Sequence, residues 1–467
     1  MLFNSFAFVV LLLITFALYY APRMSRLQVP VLIISSMIFY AYNQPVLLLL
    51  LLLSIAINIF TSYAVTYGNP NFRKVYAILG VVLNLSILLF FKYSPLFGKT
   101  LFQETSSIGE FLISIPLPIG ISFFTFQGIS LVVDVFKENY FTDHEVIPSS
   151  FRQHAMRTAF FIGFFPGLVA GPIVKAHDFL PQIKVKHFKD IDWERCFRLL
   201  VMGYFLKMVI ADNLKEFTFW ITYPYFEGLK TASLVALLFG YSFQIFADFA
   251  GYSLIAIGLA KLFGYNFKDN FNFPYISLSF KEFWKRWHIS LSSFLMEYLY
   301  FPLGGNRKGK VRTYINLMVT MILGGLWHGA AWSYAVWGTF HGIALAVERF
   351  ITDRVKLNAN LVVNTIKGAM VFCFVTLAWL LFKLPEFSHV IKYFKAMSVN
   401  EGLLSGSLLL YIMLYSLPVV LYHVNYLVRE RMAYEPVRRM EYIPYGLMLF
   451  LIVTNSGPAG AFIYFQF

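Results

Sequence analysis

Charge is what this sequence has least of. Only 13% of its 467 residues are Asp, Glu, Lys or Arg, against about 25% in a soluble domain. Residues 1–22, 27–72, 313–347, 402–428 and 442–467 contain none, which excludes an ordinary water-soluble globule. Cysteine is almost missing as well. Cys196 and Cys373 are the only two, so there is no disulfide framework and no Cys-x-x-Cys redox or metal motif. No His-x-x-x-His or His-Glu-x-x-His spacing occurs, and no metal site is expected. A Gly-x-Ser-x-Gly elbow is missing too, leaving a serine hydrolase triad without support. Gly304 to Lys310 imitates a phosphate-binding loop, but Val311 stands where the magnesium-binding Ser or Thr belongs. That stretch reads as a basic turn.

What the chain does have is apolar length. Its charge-free windows exceed the roughly 20 residues that cross about 30 Å of hydrocarbon, and without ~10-residue alternation the spanning element is helix. The expected fold is all-α, a polytopic integral membrane protein with about 10–14 membrane helices, re-entrant or interfacial ones included. Candidate spans include 232–247, 249–264, 313–329 and 331–348, and residues 1–467 read as a single integral domain. The first 22 residues lack a positive leader and a small-residue cleavage site, so they read as a retained span. Pro116, Pro118 and Gly120 break one apolar run, and Pro166, Gly167, Gly171 and Pro172 another. Broken helices at membrane depth suit positions inside protein or along a cavity.

The net charge of +14 fits loops facing the cytoplasm and anionic membrane lipids better than nucleic acid, for which no basic soluble domain exists. Arg23 and Arg26, Arg73 and Lys74, and the basic segments 175–195 and 307–312 place those loops inside and the amino terminus outside.

Residues 264–342 are dense in His, Trp, Asn and Gly. Ser279 and Glu282 have the spacing of a capping box. A helix starting there puts Lys281, Lys285 and His288 on one face and allows a Glu282–Arg286 pair. Such an amphipathic helix either anchors at the interface or presents its basic face to an anionic ligand, such as the phosphates of a nucleotide-bearing thioester. His328, in Gly324-Gly325-Leu326-Trp327-His328-Gly329, lies inside a charge-free window. An ionisable side chain at that depth is a candidate site, and imidazole moves protons near neutral pH. The competing reading is a structural histidine bonded between helices. The flanking glycines favour a site, since they permit close approach of a substrate. His341, 13 residues on, is ~20 Å along and ~220° around a continuous helix, so the two cannot share a metal unless Gly329 breaks it.

Phe283-Trp284-Lys285-Arg286-Trp287-His288-Ile289-Ser290-Leu291-Ser292, Tyr298 to Arg307, and the Gly324–Gly329 run together resemble the membrane-bound O-acyltransferase (MBOAT) family. Within it they are similar to the bacterial AlgI and PatA branch of polysaccharide and peptidoglycan O-acetyltransferases. Ala170-Gly171-Pro172-Ile173, Asp248-Phe249-Ala250-Gly251-Tyr252-Ser253 and Asn270-Phe271-Asn272-Phe273-Pro274-Tyr275 fit the same branch, so the motif-bearing core covers about 160–350. The resemblance implies a multi-helix protein of the bacterial cytoplasmic (inner) membrane with a central tunnel. His328 matches the catalytic histidine and His288 a second histidine position. It implies no bound cofactor, acetyl-CoA as donor substrate, a periplasmic or membrane-anchored acetyltransferase as partner, and a polysaccharide or peptidoglycan acceptor. On that basis Lys281, Lys285 and Arg286 are expected to hold the donor's phosphates. Asn306 and Trp327 are candidates to polarise the thioester carbonyl or shape the tunnel, with a structural role as the alternative, and Asp248 is a tunnel candidate. Three other functions compete: D-alanyl transfer toward teichoic acid, a non-enzymatic glycan permease, and an export scaffold.

Overall fold

The computed structural model describes residues 1–102, 105–137, 147–355, 360–401, 406–432, 442–458 and 460. Every regular element among them is helical. Five helices are long and apolar enough to cross a membrane: Leu47–Tyr67, Pro70–Leu101, Thr231–Leu262, Leu361–Lys383 and Gly406–Glu430. Shorter apolar helices such as Phe6–Tyr19 and Tyr442–Thr454 accompany them. The protein is a multi-pass membrane protein. Its chain forms two compact units, residues 1–200 with 253–268 and residues 201–252 with 269–467.

In the first unit the apolar helices turn their few polar side chains inward. Asn58 and Asn84, both buried, exchange amide hydrogen bonds of 3.1 and 3.0 Å, and each also donates to the carbonyl one turn back, of Ser54 and Gly80. All four amide protons are thereby used, the condition for polar groups to join helices where water is absent. Both broken runs are broken where the sequence indicates. Ile121–Lys137 starts directly after Gly120. Gly120 has φ +78° and packs so close to the Leu168 carbonyl, in the second broken run, that a Cβ would lie 2.4 Å from it. Gln28 exchanges two hydrogen bonds with the Lys186 backbone, 2.8 and 3.0 Å. The basic segments at 23–26 and 184–189 are therefore joined next to each other.

The second unit carries His288, His328 and His341. Here the structure differs from the sequence reading at one span boundary: 232–247 and 249–264 are not separate but parts of the 32-residue helix Thr231–Leu262. Asp248 does not end that helix because its carboxylate is met by Lys207 Nζ at 2.7 Å. Lys207 itself sits in a π-helical stretch, Phe205–Ala211, the kind of local widening that accompanies functional sites. Gly309–His328 and Trp332–Thr352 pack as an antiparallel hairpin. Their backbones nearly touch. A Cβ at Gly325 would lie 2.2 Å from the Tyr334 carbonyl oxygen, and one at Gly338 2.3 Å from that of Met321. Small residues at such crossings allow the approach that dispersion forces need in a membrane.

Candidate active site

The helix start at Ser279 forms as its residues dictate. Ser279 Oγ accepts from the Glu282 N–H at 3.0 Å. Glu282 reaches one residue further back than a standard box and accepts from the Leu278 N–H at 2.9 Å, while also binding Arg286 Nε at 2.9 Å. Glu348 accepts from the Phe280 and Lys281 N–H groups, so a carboxylate of the chain already occupies this helix end. The helix is short, Phe280–Arg286. His288 therefore does not share a face with Lys281 and Lys285. It takes the left-handed conformation, φ +43°, and turns inward, fully buried. For a residue with a Cβ that conformation costs about 1–2 kcal/mol, and Asn270 holds it in place.

Asn270 Oδ1 accepts from the Ser290 N–H at 3.2 Å, from Ser290 Oγ–H at 2.8 Å and from His288 Nδ1 at 3.1 Å. A backbone N–H can only donate, so the atom it meets is the amide oxygen, and His288 Nδ1 must carry a proton. Burial pushes the His288 pKa down to about 3, leaving the ring neutral with its lone pair on Nε2. Two main-chain hydrogen bonds, Ile289 N–H to Asn270 O and Asn272 N–H to Arg286 O, both 2.9 Å, fasten the two segments together.

Gly329 does end the helix that carries His328, and the next begins at Trp332. His328 is buried, and its ring centroid lies 6.3 Å from that of His288. Trp327 at 5.0 Å, Phe382 at 5.1 Å and Trp337 at 5.2 Å surround it. The hairpin brings His341 onto the other side of Trp337, 4.7 Å away, yet no group of three potential metal ligands forms among the described residues.

A cavity of about 490 Å³ runs from His328 to the exposed Lys281 and Lys285. Trp284, Trp337, Leu291 and Met321 line its interior, and Asn306, Glu348, Arg349 and Asp353 also border it. That volume suits an organic substrate of moderate size. Glu348 is engaged at a helix start, and the other charges on the border are three cations, Lys281, Lys285 and Arg349, against one carboxylate, Asp353. Asn306 Oδ1 accepts from Tyr300 OH at 2.5 Å and from Arg349 at 3.5 Å.

The structure thus brings His328, Lys281, Lys285 and Asn306 to one cavity, with His288 against His328. Three expected site residues do not line the cavity. Arg286 pairs with Glu282, donates to the Asn272 carbonyl at 3.1 Å and lies over Tyr426. Asp248 joins Lys207 and Asp212 in a buried ion cluster. Trp327 packs between the two histidines, 5.8 Å from His288. The glycines divide as well: Gly324 borders the cavity, whereas Gly325 and Gly329 abut Tyr334. Sequence reasoning missed Arg349, a lone cation at the end of an apolar helix, and Asn270, which lay in a recognised motif but carried no spacing signal toward His288.

A sequence model of the MBOAT, membrane-bound O-acyltransferase family, matches residues 150–385. The chain is 35% identical over 392 residues to a peptidoglycan O-acetyltransferase of Helicobacter pylori, covering 79% of this chain and 74% of that one. It is 37% identical over 406 residues to a probable alginate O-acetylase AlgI of Pseudomonas aeruginosa, covering 85% and 75%. A teichoic acid D-alanyltransferase of Bacillus subtilis is 26% identical over 286 residues, 58% of this chain and 70% of that one. The matched region contains both histidines and most of the cavity, and similarity of this extent sets aside the permease and scaffold readings: the chain is an acyltransferase and belongs to the membrane-bound O-acyltransferase family.

Proposed function

We propose that this protein transfers an acetyl group from acetyl-CoA in the cytosol to a hydroxyl acceptor, with His328 as general base. The observation that carries the reading is a buried imidazole, that of His328, lining the same cavity as Lys281, Lys285 and Arg349. The three cations hold the phosphates of the donor, and its acyl arm reaches inward past Trp284. His328 takes the proton from the attacking hydroxyl, the oxygen bonds to the thioester carbon, the C–S bond breaks, and the proton passes to the departing thiolate. General-base assistance is worth roughly 10²–10⁴ in rate. His288, held neutral with Nδ1–H on Asn270, orients the His328 side of the cavity. The buried aromatic wall of Trp327, Trp337 and Phe382 keeps water from the thioester.

The acceptor is a polysaccharide or peptidoglycan of the bacterial envelope, reached through a periplasmic or membrane-anchored acetyltransferase, and the protein resides in the cytoplasmic membrane with its amino terminus outside. Supporting the acceptor class are relatives named for O-acetylation of peptidoglycan and of alginate, each more similar than the one named for D-alanyl transfer. Supporting the orientation is the hydrogen bonding that joins the basic 23–26 and 184–189 segments, as expected of loops on one side of the membrane. The test is thiol release from acetyl-CoA by purified protein in nanodiscs, supplied with partner and glycan, for the native chain and for His328→Ala. Release that depends on His328 is expected. Equal release from both sinks the assignment.

A further inference from the structure

Glu348 lines the same cavity as Lys281, Lys285 and Arg349, and its charge is of the wrong sign for an anionic donor. A carboxylate among three cations ordinarily pairs with one of them. Glu348 pairs with none. Among the described residues Lys281, Lys285 and Arg349 have no carboxylate within ion-pair distance. Both Glu348 oxygens go instead to main-chain donors of another helix, Oε2 to the Phe280 N–H and Oε1 to the Lys281 N–H at 3.2 Å.

These two bonds join elements that are 67 and 68 residues apart in sequence. Lys281 and Lys285 ride on the seven-residue helix Phe280–Arg286, and the caps that Ser279 and Glu282 supply to it come from the same segment. Arg349 follows Glu348 on the helix Trp332–Thr352. Elsewhere the two helices meet through rings, Trp284 lying 5.7 Å from Trp337 and 5.2 Å from His341. Apolar contact is non-directional and lets a short helix slide or turn. A carboxylate whose two oxygens meet two successive N–H groups fixes both its place and its direction. Lysine side chains are flexible point charges, so a phosphate cradle built on two elements depends on the backbone that carries them.

We propose that Glu348 is a positioning residue of the donor site. It pins the helix of Lys281 and Lys285 to that of Arg349 at the spacing the donor's phosphates require, and it leaves all three cations unpaired for them. This role deepens the proposed donor binding and rests on it. A Glu348 that acted by charge alone would have the opposite consequence. Removing a negative charge beside three cations strengthens the binding of an anion, whereas removing the clamp weakens it.

The test is equilibrium binding of CoA, and of pantetheine, which lacks the phosphates, to the full chain in nanodiscs of zwitterionic lipid. The native chain is expected to bind CoA more tightly than pantetheine by about tenfold or more. Glu348→Gln keeps one acceptor oxygen and loses the charge; it is expected to weaken CoA binding about fivefold, and Glu348→Ala, which keeps neither, about tenfold or more. Pantetheine binding is expected to stay within about twofold of native in both variants. Tighter CoA binding by Glu348→Gln overturns the proposal, because the carboxylate would then act by charge alone. Equal loss of CoA and pantetheine overturns it too, since Glu348 would then support the fold and not the phosphate site. A native chain that binds the two ligands equally removes the donor reading itself, and the clamp with it. Binding of CoA takes no chemistry at His328, so the expected pattern in a chain that releases no thiol from acetyl-CoA would keep the clamp and sink acyl transfer.

Discussion

Asn270→Ala is the substitution whose consequence can be worked out most fully. The amide oxygen of Asn270 accepts three hydrogen bonds, from the Ser290 N–H, the Ser290 hydroxyl and His288 Nδ1, in a site that is 1% exposed. The hydroxyl can rotate to another acceptor. The Ser290 N–H and the His288 N–H cannot, and each buried donor left unmet costs about 1–3 kcal/mol, giving roughly 2–6 kcal/mol for the two before any cavity term. Part of that loss falls on the left-handed backbone at His288 and part on the ring's tautomer, so activity falls as well as stability. If half of it is felt at the transition state, the rate drops by roughly 5- to 150-fold, each 1.36 kcal/mol being tenfold. Asn270→Asp separates the two effects. It keeps an acceptor but sets a carboxylate beside His288, which raises the imidazole pKa toward the neutral range, so an acid-side titration enters the rate profile. The assays are a thermal melt in detergent and thiol release from acetyl-CoA between pH 5 and 8. A melting temperature and rate for Asn270→Ala equal to those of the native chain would refute the role given to this amide.

Charge reversal at the cavity border, Lys285→Glu or Arg349→Glu, is expected to raise the apparent KM for acetyl-CoA roughly three- to tenfold while leaving kcat near native; an unchanged KM argues against phosphate binding there. Arg286→Ala, by contrast, is expected to leave donor KM unaltered, because its guanidinium is held by Glu282 and the Asn272 carbonyl. Gly338→Val places a side chain where a Cβ alone would lie 2.3 Å from the Met321 carbonyl, and is expected to abolish monodisperse protein in size-exclusion chromatography. Lys207→Met leaves Asp212 and Asp248 buried without their shared cation, a loss of about 3–5 kcal/mol that should lower the melting temperature by several degrees; Asp248→Asn, which keeps a polar partner, should lower it less.

The residues show which parts of this architecture the sequence exposes. His328 was legible because an ionisable group in a charge-free window has few bland explanations, and the Ser279 cap because capping depends on neighbours three residues apart. Both are local. The inward turn of His288 was not legible, since helical spacing placed it beside Lys281 and Lys285, and only the bonds from Asn270, 18 residues away, reverse that. Arg286 looks like its neighbour Lys285 in sequence, and a loop carbonyl at Asn272 decides that it leaves the cavity. Asp248, a tunnel candidate lying between two expected spans, is instead paired with a buried lysine 41 residues earlier, and the helix continues through it. Gly325 suggested room for a substrate, and the room is taken by the facing helix. In each case a partner distant along the chain determined the outcome.

Acyl transfer is proposed to depend on His328. It is tested most directly by restoring the native chain or His328→Ala, at matched membrane abundance, to a bacterial strain lacking its own copy and measuring O-acetyl groups on the envelope glycan. The native chain is expected to restore O-acetylation, and His328→Ala to leave it at the level of the empty strain. Restoration by His328→Ala would contradict it.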